Sequence, residues 1–228
     1  MFIEQAKSNE IPKGAIRLTK DEVYEYMTDL IKKWPNSMEI WALKHGNPIL
    51  SSAVVITNTL ILNYYRQRLK LRNYGRFTLF LPVVVIPSIF SLLFQNSITT
   101  RSIVLLEDCP TCIYTQSMFI QMGTGLVYPL MGAIGGTYMF AVKMDTINFK
   151  SNGSQMIKEL TTHVMKNSRP FYNRLTVFVI GHLLLSYTIT HYQIKNFEFL
   201  RFKMMEQQKE EIESFEKSKQ MRNKQLSN

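Results

Sequence analysis

The sequence predicts an all-α membrane protein of about four transmembrane helices, with an amphipathic helix before them and a charged helix after them. Three observations carry this: apolar stretches of bilayer-crossing length, tyrosine and arginine at stretch ends, and basic residues gathered in two of the intervening loops. Averages conceal the pattern. The 228 residues are 46% apolar and have a mean hydropathy of -0.07, as a soluble domain would, because charged and apolar runs alternate. A formal charge of +10, from 27 Lys and Arg against 17 Asp and Glu, fits nucleic acid, anionic lipid or inside-positive topology equally well, and only position decides among them.

The chain divides into an N-terminal soluble or amphipathic segment (1–47), a four-span transmembrane domain (48–192) and a charged C-terminal helical tail (193–228). Met1 to Lys20 has no apolar signal-peptide core, and Glu4 and Glu10 among its lysines argue against a cleavable mitochondrial presequence, so organelle targeting is expected to be internal. Thr19 and Glu22 form a capping-box signature, and Val23, Tyr26, Met27, Leu30 and Ile31 follow at helical spacing. This predicts an amphipathic helix to about Trp34, set on a membrane surface, on a partner, or in solvent with one apolar face. Pro35 breaks it, and a short helix is expected over Ser37 to Lys44.

The first span, 48–65, holds no charge and ends Tyr64, Tyr65, Arg66; its Asn58, Asn63, Ser and Thr residues are expected to face other helices. The second, 77–98, is the clearest, and Pro82 and Pro87 within it predict kinks with local 3₁₀ or π adjustment. The third, 113–142, exceeds one straight crossing, so it is expected to start at the interface, or to tilt and bend near Pro129. Its Gly123, Gly125, Gly132 and Gly136 are expected helix-packing positions. Gly132 and Gly136 make a small-xxx-small pair, read as packing within the chain ahead of an oligomerisation motif. The fourth span, 171–192, has Arg174 near one end and His182 near its middle, the latter read as a neutral histidine bonded to a facing helix. The tail, with Glu213 and Lys217 at favourable helical spacing, is expected to protrude as a solvated helix or a handle for a protein partner.

Arg66, Arg68, Lys70, Arg72 and Arg76 fall between spans one and two with no acid among them, and Lys143, Lys150, Lys158, Lys166 and Arg169 fall between spans three and four. Four spans put both loops on one side, expected to be the cytosol or a mitochondrial matrix, with the termini and Cys109 and Cys112 opposite. Topology therefore accounts for the charge, and no nucleic-acid partner is expected. Cys109 and Cys112 are the only cysteines. They are read as a structural disulfide or two idle thiols, in preference to a redox pair, because no thioredoxin-like pattern surrounds them and Glu107 and Asp108 oppose thiolate formation.

No phosphate loop, dinucleotide fingerprint, zinc-protease motif or nucleophile elbow is present, and His45, His163, His182 and His191 are too scattered for a metal site. No catalytic residue, cofactor or metal is expected. No Asp or Glu lies within a proposed span, which weakens ion-coupled transport as a reading.

Residues 108–142 carry an acidic-Cys-x-x-Cys turn and a glycine-rich span with a Tyr-Pro: Asp108, Cys109, Cys112, Gly123, Gly125, Tyr128 and Pro129. Lys166, Ser168, Arg169, Pro170 and Phe171 precede the last span. In these landmarks, and roughly over Pro48 to Tyr192, the chain resembles the transmembrane protein 126 family. The resemblance implies a multi-pass protein of the mitochondrial inner membrane that assists biogenesis of respiratory complex I. One branch of the family belongs to an intermediate assembly complex for the proximal membrane arm, and another is associated with the distal arm. Implied partners are complex I membrane-arm subunits, other complex I assembly factors and inner-membrane lipid. The expectation is a non-enzymatic assembly factor or scaffold. An inner-membrane pore or protein-translocase component, prompted by the glycine-rich span, is the alternative, and an enzyme using Cys109 and Cys112 is a third.

Overall fold

The structure is a computed structural model that describes residues 19–71, 75–106, 108–144, 158–159, 162, 164–166 and 168–226, with side chains described to 219 and at 221. Among the described residues all regular structure is helical: α1 (Lys20–Lys33), α2 (Trp41–Arg68), α3 (Arg76–Leu105), α4 (Pro110–Lys143) and α5 (Tyr172–Leu226). Helix α3, helix α4 and the segment Val164–Lys219, which includes most of α5, are each long and apolar enough to cross a membrane. At 1.5 Å per residue their shortest member is about 45 Å long, against a hydrocarbon core of about 30 Å.

Helix α1 begins at a complete capping box. Thr19 N donates to Glu22 Oε2 at 2.7 Å and Glu22 N donates to Thr19 Oγ1 at 3.4 Å. Asp21 and Glu22 in the first turn and Lys32 and Lys33 in the last complement the helix dipole. The apolar face lies on the protein's own bundle: Met27 and Ile31 are buried with Ile40, Leu43, Ile103, Val104, Ile113, Phe197 and Leu200, drawn from all four long helices or their approaches. Arg101 on α3 pairs with Asp21 at 2.6 Å, and the Tyr24 hydroxyl donates to the Asn96 carbonyl at 3.2 Å, fixing α1 across that end.

The short helix expected over Ser37 to Lys44 is absent. Residues 37–40 form a turn, and a single helix then runs from Trp41 through Pro48 to Arg68. Proline removes one amide donor, a local loss that packing offsets here. Gly46 and Asn47 are buried against α5, where Gln193 Nε2 donates to the Ala42 carbonyl at 3.3 Å and to Asn47 Oδ1 at 2.8 Å. Helix α2 occupies the centre of the bundle, with Leu50, Val54 and Ile61 wholly buried.

The other prolines are absorbed by wider turns. A π turn at Leu81–Val85 contains Pro82 and leads into Pro87; another at Gly123–Val127 ends two residues before Pro129. Such turns leave room for the ring and re-aim the helix, which is how a kinked helix keeps its backbone bonded away from water. A third π turn, Gln95–Thr100, has no proline. The fourth predicted span and the charged tail form one uninterrupted helix of 55 residues.

The two basic segments meet at one end of the bundle. The Tyr65 hydroxyl is 2.9 Å from Ser168 Oγ, and Leu69, Leu71, Tyr138 and Ala141 pack together with Val164. Helix α1 closes the opposite end, packed with Ile103 and Val104 of α3 and Ile113 of α4.

Candidate functional site

Polar side chains inside the bundle converge on one seam. From α2 come Asn47, Thr57 and Asn58; from α3, Ser91, Gln95 and Thr99; from α4, Ser117 and Gln121; from α5, His182, Ser186, Thr190 and Gln193, all buried. Ser117 is the hub of its middle section. Its Oγ donates to Gln95 Oε1 at 3.2 Å, accepts from Thr190 Oγ1 at 2.9 Å and lies 2.8 Å from Ser186 Oγ, while Gln95 Nε2 donates to the Ser117 carbonyl at 3.2 Å. Nearer α1, Asn47 Nδ2 bonds Asn96 Oδ1 and donates to Thr100 Oγ1 at 2.8 Å. The Asn58 amide, with its nitrogen turned to α4, donates to the Gly125 carbonyl at 3.1 Å. Gln193 Oε1 and Thr99 Oγ1 are buried acceptors without a hydrogen-bond partner among the described residues.

The partners fix the protonation of His182. Gln121 Nε2 donates to the Leu50 carbonyl at 3.1 Å, and a carbonyl only accepts, so the amide group of Gln121 faces that way. The same nitrogen lies 3.0 Å from His182 Nδ1, which must therefore be the acceptor, leaving the proton on Nε2 to be donated to Thr57 Oγ1 at 3.0 Å. His182 is thus the neutral Nε2–H tautomer, with both nitrogens committed, and offers no free base to the nearby hydroxyls. What the seam can do chemically is join four helices without placing a charge inside them. Each interhelical bond of this kind contributes on the order of 0.6 kcal/mol in a membrane, so the network acts as a register device as much as a source of stability.

Three predicted glycines sit at close approaches, Gly125 beside the seam and Gly132 and Gly136 against apolar side chains of α3. A Cβ on Gly125 would stand 2.9 Å from His182 Cε1; one on Gly136 would collide with Leu79 Cδ2, and one on Gly132 would stand 3.2 Å from Val83 Cγ2. Those glycines accept α5 and α3 at close range. Gly123 has nothing within 4 Å of that position, so close helix approach does not explain it. Sequence reading passed over Gly46, whose Cβ would meet Gln193 Nε2 and Ile189 Cγ2 at 2.8 Å each.

The basic cluster is less of a loop than expected. Arg66 and Arg68 belong to the last turn of α2, Arg66 being buried, Lys70 sits in the turn with φ of 52°, and Arg76 opens α3. Arg72 and His163 lie outside the described residues. Cys109 and Cys112 are joined as a disulfide at the start of α4, both exposed. His45 and His191 are exposed where His182 is buried, and among the described residues no three His, Cys, Asp or Glu side chains converge as a metal site.

The seam also has a legible signal that the sequence reading missed. Ser88, Ser91, Gln95, Thr99 and Ser102 recur every three or four residues along α3, as do His182, Ser186, Thr190 and Gln193 along α5. A polar stripe at helical spacing inside an apolar helix marks the face that meets other helices.

Apolar helices that each exceed a bilayer's thickness, with their polar groups turned inward and bonded to one another, define an all-helical membrane-spanning bundle. The sequence comparisons agree. The chain belongs to the transmembrane protein 126 family, whose sequence model matches residues 21–211. It is 32% identical over 215 residues to Transmembrane protein 126 of Drosophila melanogaster, a match covering 92% of this chain and 96% of the fly protein. No solved structure matches.

Proposed function

We propose that this protein is a non-enzymatic assembly factor, a scaffold for biogenesis of the membrane arm of mitochondrial respiratory complex I, working within an intermediate assembly complex. It spans the inner membrane four times, with α2 as the first span. The basic segments lie in the matrix, and the termini and the Cys109–Cys112 turn lie in the intermembrane space. Membership of the transmembrane protein 126 family brings the complex I reading. The geometry that supports it is the division of labour in the chain: a bundle whose polar groups are spent on its own packing, and a tail that is free for others.

From Lys209 to Lys219 every residue of α5 is exposed, and Ile212 and Phe215 stand 51% and 64% exposed among charges. That is the form of a helical handle. The four-span count rests on α2, which is 28 residues long and central. Its polar residues lower its hydropathy, but Thr57 and Asn58 are buried against α5 and α4 and are not offered to lipid. The pore reading drew on the glycine-rich span, and Leu79 and Val83 of α3 now fill the approaches to Gly136 and Gly132.

Native gel electrophoresis of mitochondrial membranes tests the proposal. The protein is expected to co-migrate with an incomplete complex I, and its removal to leave membrane-arm intermediates unfinished. Migration only as a free monomer, with complex I assembling normally in its absence, would overturn it. Protease protection in mitoplasts tests the orientation: cleavage near Lys70 from the intermembrane-space side would reverse it.

A further inference from the structure

Cys109 and Cys112 occupy one turn, with Cα atoms 5.3 Å apart and a sequence separation of 3. A bridge across so short a loop restrains the unfolded chain less than any longer one would, and it ties no two helices together. Bracing is therefore a weak account of it. Its placement has chemical content. Cys109 is the N-cap of α4, Pro110 is the first helical residue, and the Cys112 backbone N–H points at Cys109 Sγ across 3.3 Å. Unpaired amides and the positive end of the helix dipole favour a thiolate at that position. Asp108 is the described acid that opposes it, and its Oδ2 is held by Ser102 Oγ at 2.7 Å and Gln116 Nε2 at 3.2 Å, two donors that offset its charge. Both cysteines are exposed.

We propose that the Cys109–Cys112 disulfide is a thiol–disulfide exchange site whose substrates are protein dithiols. A client thiolate bonds to Cys112 Sγ, and the bond between the two cysteine sulfurs breaks with its electron pair on Cys109 Sγ, where the helix N-terminus holds the charge. The better-stabilised thiolate is the better leaving group. The second client thiolate then attacks the client sulfur of the mixed disulfide and releases Cys112 as a thiolate. Protons lost by the two client thiols pass through water to Cys109 and Cys112. The client is oxidised by two electrons to a disulfide and this protein is reduced to a dithiol, in a single stoichiometric exchange that a client disulfide reverses.

The test uses the full chain, oxidised, in lipid nanodiscs, with a reduced model peptide carrying two cysteines as the probe. Expected is a 1:1 exchange, read as peptide disulfide formed against thiols gained by the protein on a maleimide gel shift. A disulfide left intact by excess reduced peptide overturns the proposal. Alkylation rates across pH, on Cys112→Ser and Cys109→Ser proteins, supply the second readout. Cys109 is expected to react with a midpoint about one unit or more below the ordinary thiol value of about 8.5, and Cys112 with a midpoint near it. Equal midpoints near that value would mean a plain brace, and would overturn the assignment of Cys109 as the leaving group.

Discussion

Replacing Gly125 by alanine adds one methyl group where the polar seam runs closest to His182. The added Cβ would lie 2.9 Å from His182 Cε1, 3.1 Å from Nε2 and 3.3 Å from Nδ1, where ordinary carbon contacts are about 3.5–4.0 Å. The ring has to withdraw, and it is held at both nitrogens, by Gln121 and by Thr57, each at 3.0 Å. Losing both bonds costs about 1 kcal/mol at the membrane average of about 0.6 each. Overpacking adds about 1–3 kcal/mol, and removing a glycine from a helix interior returns about 0.5–1. The net expectation is destabilisation of about 1–3 kcal/mol, which at about 2–4 °C per kcal/mol for a chain of this size is a fall of several degrees in Tm. Thermal unfolding in detergent micelles measures it. Gly123→Ala and Gly135→Ala, with nothing within 4 Å of the new atom, serve as controls and are expected to be neutral or mildly stabilising. In a His182→Ala background the cost of Gly125→Ala should shrink to that of the controls. A Gly125→Ala protein that melts with the wild type, or costs that simply add, would show that His182 does not fill the space against this glycine.

Three further outcomes follow from the same structure. The hydrogen bonds from Thr19 hold the Glu22 carboxyl below its ordinary value. Their contribution to α1 is thus present above the unfolded carboxylate range of about 4.3 and is lost as pH falls through the lower folded value; Thr19→Ala should move the Glu22 titration, followed by NMR, upward, and an unmoved titration would count against the cap. Arg101→Ala removes the pair with Asp21, whose side chain is 80% exposed, and the stacking over Tyr24. It should cost no more than about 1 kcal/mol, less at high salt, and appear as faster proteolysis of α1 and not as unfolding of the bundle. A chain stopped after Gln208 should keep its unfolding free energy within about 0.5 kcal/mol of wild type, since every residue from Lys209 to Lys219 is exposed, yet lose co-migration with complex I intermediates.

Local chemistry was readable in the sequence where it acts locally. The Thr19 and Glu22 cap is a contact between residues three apart, so spacing alone announces it, and the π adjustment expected around Pro82 follows from the ring's own sterics. The expected break between a short helix ending at Lys44 and a first span starting at 48 does not occur, because contacts with Gln193, nearly 150 positions along the chain, hold one helix through Pro48. The setting of α1 was open for a similar reason: its periodicity shows an apolar face, but only the folded chain shows Phe197 and Leu200 beneath it. His182 stood out as an ionisable group amid apolar residues, whereas Gln95, Gln121 and Gln193 did not, because each glutamine alone is a minor polar interruption. Their meaning comes from convergence across four helices.

The continuity of α5 makes the far end of the protein a matter of phase. About 22 residues of unbroken helix separate Gln193, inside the seam, from Phe215, which sets Phe215 roughly 33 Å further along the axis. Each residue of a helix also turns it by about 100°, so deleting one residue between them would swing Ile212 and Phe215 to a different compass bearing around the membrane normal while barely changing their height. A partner that gripped that helix would read an angle that the buried polar bonds have set.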